Sequence, residues 1–584
     1  RQYYIDYLVN QSSIRQWSLK KLADYGFDAA TGIWAECPGY SSVVVGDYAS
    51  FVSLFDENLG MDLTKEIPVL PKAVEAMPQY LFPNRMVCGF GDTHPSTLRT
   101  DIFRYMIQNA RTHGKSEEER KFTAMLKLFD PSSSLPVAER GKAPVAITSF
   151  FAGKPLVLDE KVKAGQIDDY VTPTFYAPNV SWLVQRNGMN PRHSLMVSLN
   201  GSEGNHMHAN GISMELYGKG YVLGPDAGIG KTLYQGLDYL EYYSQFPSHN
   251  TVCVDGISSY PVMKSNHSFK LRALYPATGE RIPSQPISYS EVYFREPETF
   301  ADQTRLNGIV NVGDSAGYYI DIFRSRKVEG GDKMHDYFYH NLGQQMTLTA
   351  ADGSELELQP TQELAFAGAH LYAYSYIYNK KRAVTSKDVK AGFTIQMPDK
   401  DDITMNLWMK GEEGREIFSA LSPMTEGLSR IKNMPYSIKD QPTLTFVARQ
   451  KGEAWNRPFV AVYEPSTLKE PSCIASVDYP QVKSEQQGSH VGIRVALTNG
   501  NVDWILSSDE NAHHCKLEKL QARASYALCR QSEKGETLQA FLGNGTQLEA
   551  DGVSIRTDAP ADVLLLKQDG KWMYTATAPC RVVV

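Results

Sequence analysis

His208, Asp226 and His249 are the side chains of this 584-residue chain whose types best suit metal chemistry, and His206 stands one residue from the first of them. Imidazole and carboxylate are ligands for zinc, a borderline-soft ion that is usually four-coordinate. After the two histidines, Ile212, Met214 and Leu216 alternate with Ser213 and Glu215, the pattern of a half-buried strand whose alternate residues share a face. Gly218-Lys219-Gly220 supplies a turn, and Tyr221-Val222-Leu223 begins the return strand of a hairpin. With a two-residue loop, Asp226 would face Gly211 and not His208, an offset of roughly 10 Å of strand that only a bulge or the Pro225 corner could close. From spacing alone two readings stay open: the three residues converge on a metal, or they are polar residues near strand ends that never meet.

Two glycine-rich runs in the same stretch do not carry nucleotide chemistry. Pro225 to Thr232 resembles a phosphate-binding loop, but proline occupies the first required glycine position. Gly218, Gly220 and Gly224 likewise miss the dinucleotide spacing by one residue, and a hairpin turn explains them better.

These residues need a scaffold, and the length suggests two to four domains. An apolar content of 42% and a charged content of 21% are those of an ordinary folded protein, and no run of 18 apolar residues suggests a membrane span. A net charge of −7 argues against a nucleic-acid partner but leaves room for a local cationic cluster that grips an anion. Seven scattered cysteines without CxxC spacing do not form a disulfide framework. The 33 tyrosines and 7 tryptophans fit either core packing or the gripping of sugar rings. The chain opens at Arg1 in helical text, so the expectation is that an N-terminal part, with any signal sequence and further helices, is missing.

Taken in order, residues 1–135 read as all-helical, with helices expected at Ser13 to Tyr25, Leu70 to Leu81, Ser96 to His113 and Ser116 to Phe129. The loop between Leu81 and Ser96 carries Arg85, Asp92 and His94, and is expected to be a solvated surface loop rather than the wall of a cleft. Asp130 to Ser134 reads as a linker. From residue 136 to 483 short alternating runs separated by Gly, Asn, Asp and Pro predict an antiparallel β-sandwich, and residues 484–584 a small β unit of their own. His513-His514 beside Cys515 lacks a fourth ligand and is not expected to bind metal.

Five motifs follow one another in the order found in heparinase II/III-like polysaccharide lyases: Glu36 to Tyr40, Arg186-Asn187-Gly188, His206 to Ala209, Gly224 to Gly228 and Ser248 to Gly256. Asp321 to Arg324 and His335 to His340 also resemble that family, although a structural role is preferred for His335 and His340. The resemblance, from about Gly32 to Glu464, implies an α+β multidomain fold: an incomplete α/α toroid followed by antiparallel β-sandwich domains. It implies cleavage of uronic-acid polysaccharides by β-elimination. The proton at C5 of a uronate is α to a carboxylate, so its removal needs a base, a neutralised carboxylate and an acid for the departing glycosidic oxygen.

By this resemblance Tyr40 is the acid and also a candidate base, and His206 is the partner base or helps to neutralise the carboxylate. Arg186 and Asn205 would contact the substrate, and His208, Asp226 and His249 would hold a mainly structural zinc ion. No organic cofactor is implied. The family's further Asn or His, on a helix before the tyrosine motif, has no counterpart here. The expectation is a periplasmic or secreted lyase for an anionic polysaccharide, heparin or heparan sulfate first and alginate second. A carbohydrate-binding protein that keeps the fold without the chemistry is the alternative.

Overall fold

The computed structural model of the chain describes residues 2–134, 156–230, 237–258, 264–281, 285–365, 372–431 and 434–584. The expected boundary at 135/136 and the Lys231-Thr232 end of the glycine-rich run lie outside them.

The N-terminal part is helical, and its longest element was not legible as a helix. Pro38–Leu59 starts with proline at its first position, where the missing N–H costs nothing, and stops at Gly60 in the left-handed region (φ 62°). Ser41, Val45, Tyr48, Val52 and Phe55 are buried at helical spacing, so one stripe faces the core. The helix expected from Ser13 begins only at Leu19, because Ser18 caps it by accepting the Lys21 N–H. Helix Ser116–Phe129 falls where periodicity put it, whereas the helix expected to reach Leu81 is Val69–Ala76 followed by a 3-10 turn Met77–Tyr80, and the one expected from Ser96 begins only at Asp101.

A five-stranded antiparallel sheet follows, in the order Thr174–Ala177, Trp182–Arg186, Met196–Asn200, Ser213–Gly218, Tyr221–Gly224. It is coated on both faces. Trp182, Val184 and Tyr217 join the helical core, while Leu183, Met214 and Leu216 join the core of the sheets beyond. The strand expected to be half-buried is therefore buried throughout, and Glu215 lies on its helix-side face, accepting the Gly89 N–H at 2.9 Å. Burial, with the nearby negative charge of Asp226, pushes its carboxyl up to about 8.

Beyond it, an eight-stranded and a six-stranded antiparallel sheet share one apolar core, with Phe323 and Phe393 from the first meeting Tyr337 and Phe446 from the second. This is the expected sandwich. The other face of the eight-stranded sheet, through Ile320, Ile322 and Val462, packs on Ile493, Ile505 and Leu528 of a ten-stranded C-terminal sheet. That sheet starts at Ile474, ahead of the expected boundary at 484, because Ile474–Asp478 pairs with His490–Leu497. It is a layer on the sandwich as well as a unit with its own second core.

One ion pair gives the helical part an acid limit. Asp62, the cap of helix Leu63–Glu66, is buried, yet bonds from Lys115, Thr64 and Asn109 outweigh burial and lower its carboxyl to about 2. The unfolded carboxyl titrates near 4, so the stabilisation of about 2 kcal/mol is complete above that pH and fades as pH falls toward 2. Asp62→Asn is expected to lower the thermal midpoint at pH 7, with the gap to wild type closing near pH 3. A gap of equal size at both pH values would remove the carboxylate from the account.

Candidate active site

Tyr40 stands in the first turn of helix Pro38–Leu59, where unpaired backbone N–H groups favour negative charge. The strand Ser202–Asn205 meets the segment leading into that helix. The Asn205 N–H donates to the Ala35 carbonyl at 3.0 Å, and the Cys37 N–H donates to the Asn205 carbonyl at 3.3 Å. Gly204 (φ 95°) allows the approach, because a Cβ there would lie 2.6 Å from the Ala35 oxygen. His206 follows with φ 57°, which turns the chain off the strand. The phenol and imidazole rings then lie face to face, with centroids 3.5 Å apart and planes 8° from parallel. Both residues are half-buried.

The turn at His206 means that His206 and His208 do not share a strand face as the alternation predicted. They share a carboxylate. His206 Nδ1 lies 2.9 Å from Asp92 Oδ2, His208 Nε2 lies 2.9 Å from Asp92 Oδ1, and the Tyr239 hydroxyl donates to Oδ1 at 2.7 Å. Asp92 is 4% exposed. Burial raises its carboxyl, but the bonds from His208, Tyr239 and His206 prevail and hold it below the usual range, so it is an acceptor only. Each histidine nitrogen facing it therefore carries a proton, which leaves the lone pair of His206 on Nε2 and that of His208 on Nδ1.

Asp92 reaches this position because Gly91, with φ 64°, passes where a Cβ would lie 2.5 Å from the His206 carbonyl oxygen. The Asp92 N–H donates to that same oxygen at 2.9 Å, and Thr93 Oγ1 accepts the Gly39 N–H at 3.0 Å. The loop read as solvated is thus the buried clasp between helix and histidines. Its signal in the sequence was Gly89 and Gly91 just ahead of one acid. Tyr239, on the π-helical turn Tyr239–Tyr243, gave no signal beyond its neighbouring tyrosines.

The metal-type residues do converge. The hairpin has its two-residue loop, Gly218 opposite Tyr221, and a bulge between Leu216 and Tyr217 shifts the register. Ligand atoms of His208, Asp226 and His249 lie within 4.8 Å of one another. All three residues are buried. His249 Nδ1 lies 2.9 Å from Asp226 Oδ2, which leaves its lone pair on Nε2. That atom and His208 Nδ1 are buried without a hydrogen-bond partner. Two orphaned imidazole lone pairs lie beside the Asp226 carboxylate, with the His208 ring held by Asp92 on its far nitrogen and the His249 ring by Asp226 itself, and this donor set fits a zinc ion.

Asn205 belongs to this site, its side chain 3.4 Å from Glu36 Oε1. Arg186 does not present a substrate contact. It is 1% exposed, and its guanidinium donates to the Gln79 carbonyl at 2.7 Å, tying the five-stranded sheet to the helices. Its strand is covered on both faces, so the charge is spent inside the molecule. His335 and His340 are buried as well, the first between Ser325 and Asp332, the second between Thr445 and the Pro247 carbonyl, and brace the sheets.

The chain is similar to proteins already known. Residues 30–134 match the family model described as the second domain of endo-acting ulvan lyase, and residues 480–566 match its C-terminal domain. A curated relative, an endo-acting ulvan lyase from Formosa agariphila, is 25% identical over 558 residues, 90% of this chain. The chain spans 65% of that relative's length. Among solved structures, a heparinase III gene product with methylated lysines superposes with a TM-score of 0.50 at 11% identity, covering 88% of this chain and 59% of its own, a likeness in fold.

Proposed function

We propose that this chain, which belongs to the heparinase-like family of polysaccharide lyases, cleaves an anionic, uronate-containing polysaccharide by β-elimination, with ulvan as its substrate. The observation that carries the reading is the stacked Tyr40–His206 pair with Asp92 behind it. His206 Nε2, its lone pair directed away from Asp92, takes the C5 proton of the uronate. The C4–O bond breaks, a double bond forms between C4 and C5, and the Tyr40 hydroxyl gives its proton to the leaving oxygen. The positive end of the helix that carries Tyr40 favours the charge that builds on the uronate carboxylate. With the two rings in face contact no sugar fits between them, so the uronate lies across their common edge.

The names of the family models and of the curated relative favour ulvan over the heparin and alginate expected first. The likeness in fold also supports reading the helices as part of an α/α toroid. Among the described residues no helix is long and apolar enough to cross a membrane; a polymeric substrate favours an enzyme that is periplasmic or secreted.

Zinc at His208, Asp226 and His249 would stiffen the segment that carries His206. Purified without added zinc, the chain is expected to hold metal there, and His208→Ala to lose about one equivalent and melt earlier. Unchanged zinc content in that variant would exclude the site.

The substrate test is incubation with ulvan, heparan sulfate and alginate, following the ultraviolet absorbance of the unsaturated product. A rise with ulvan is expected. A rise with heparan sulfate or alginate alone would overturn the substrate, and binding without any rise would favour the carbohydrate-binding alternative.

A further inference from the structure

A second histidine cluster lies far along the chain, in the C-terminal sheet. His490 opens strand His490–Leu497 opposite Ser508, and Asp509 comes next on the partner strand's exit, with His513 in the same loop. His490 Nε2 and His513 Nδ1 are 3.1 Å apart, and ligand atoms of His490, Asp509 and His513 lie within 4.8 Å of one another. Two imidazole nitrogens this close share either one proton or one metal ion. Tetrahedral zinc with bonds of 2.0–2.1 Å sets its ligand nitrogens about 3.3 Å apart, which the pair meets almost without movement.

The third ligand is held ready. Asp509 Oδ1 accepts the Ser489 N–H at 2.9 Å, and Oδ2 accepts the Trp455 indole N–H at 2.7 Å, while each oxygen keeps a further lone pair. Trp455 belongs to the eight-stranded sheet, where the Arg326 guanidinium lies 4.2 Å over its ring. Gly488 leaves the space in front: a Cβ there would come within 2.7 Å of Asp509 Oδ1 and 3.0 Å of His513. All three residues are partly exposed, so an ion can arrive from solvent and keep water as its fourth ligand.

We propose that His490, Asp509 and His513 form a second zinc site, separate from the His208 cluster, that clips the loop after strand Val502–Ser508 to the seam between the C-terminal sheet and the sandwich. The sequence alone offered His513-His514 with Cys515; the structure replaces His514 and Cys515 by His490 and Asp509, which only the fold brings near.

Equilibrium dialysis of the full chain against zinc tests the assignment. His490→Ala and His513→Gln are each expected to lower bound zinc by about one equivalent and to leave product formation from the polysaccharide unchanged, whereas His514→Ala keeps the zinc. Cobalt is expected to give the visible absorption of a tetrahedral site in His208→Ala and to lose it when His490→Ala is added. Unchanged zinc in both His490→Ala and His513→Gln, or an equal loss in His514→Ala, would overturn the proposal. His208→Ala reports on the first cluster separately, so failure of one site does not decide the other.

Discussion

Tyr40→Phe is expected to lower polysaccharide turnover by about 10²–10⁴-fold, the usual contribution of a positioned proton donor or acceptor, while the protein still binds its sugar. The substitution removes one oxygen and keeps the ring, so the stacking on His206 and the first turn of helix Pro38–Leu59 survive. Loss of rate can then be assigned to the hydroxyl and not to a displaced imidazole. Steady-state rates on ulvan together with a direct binding measurement separate the two parameters. Turnover within a few-fold of wild type would mean that another group protonates the leaving oxygen.

The second large effect is expected at Asp92→Asn. The carboxylate accepts from three donors, His206, His208 and Tyr239. An amide accepts on its oxygen only. If that oxygen keeps His208 and Tyr239, the amide nitrogen donates to His206 Nδ1 and forces the ring proton to Nε2, the position from which the base must act. A wrong tautomer at a catalytic histidine costs on the order of 10⁴ in turnover. If the amide turns over, His208 takes the wrong tautomer instead, its proton moves to Nδ1, and zinc is lost. Activity falls either way, and zinc content tells which. A variant with full activity and full metal would show that the shared carboxylate has no role in either.

Two histidines one residue apart, with Asp226 and His249 at strand ends, were visible in the sequence by their types, whereas Tyr40 was picked out only because Glu36 to Tyr40 resembles the lyase motif. What holds them was hidden. Asp92 acts through contacts with residues more than a hundred positions away, and a loop acid looks the same in sequence whether it faces water or two imidazoles. Arg186 misled for the opposite reason. An arginine beside Asn-Gly reads as a strand-end cation, and only the coating of its sheet on both faces shows that it answers a backbone carbonyl. The helix Pro38–Leu59 escaped notice because Val43-Val44-Val45 reads as strand, a local preference that burial of the stripe through Ser41, Val45, Tyr48, Val52 and Phe55 overrides.

The five-stranded sheet, filled by helices on one side and by the sandwich on the other, leaves no parting plane between the two halves. Pulling them apart would strip Trp182 and Leu183 of their neighbours together, so the halves should melt in a single transition. On the function proposed above, a polymer would reach Tyr40 and His206 along a surface already formed, with no need for the two halves to swing apart.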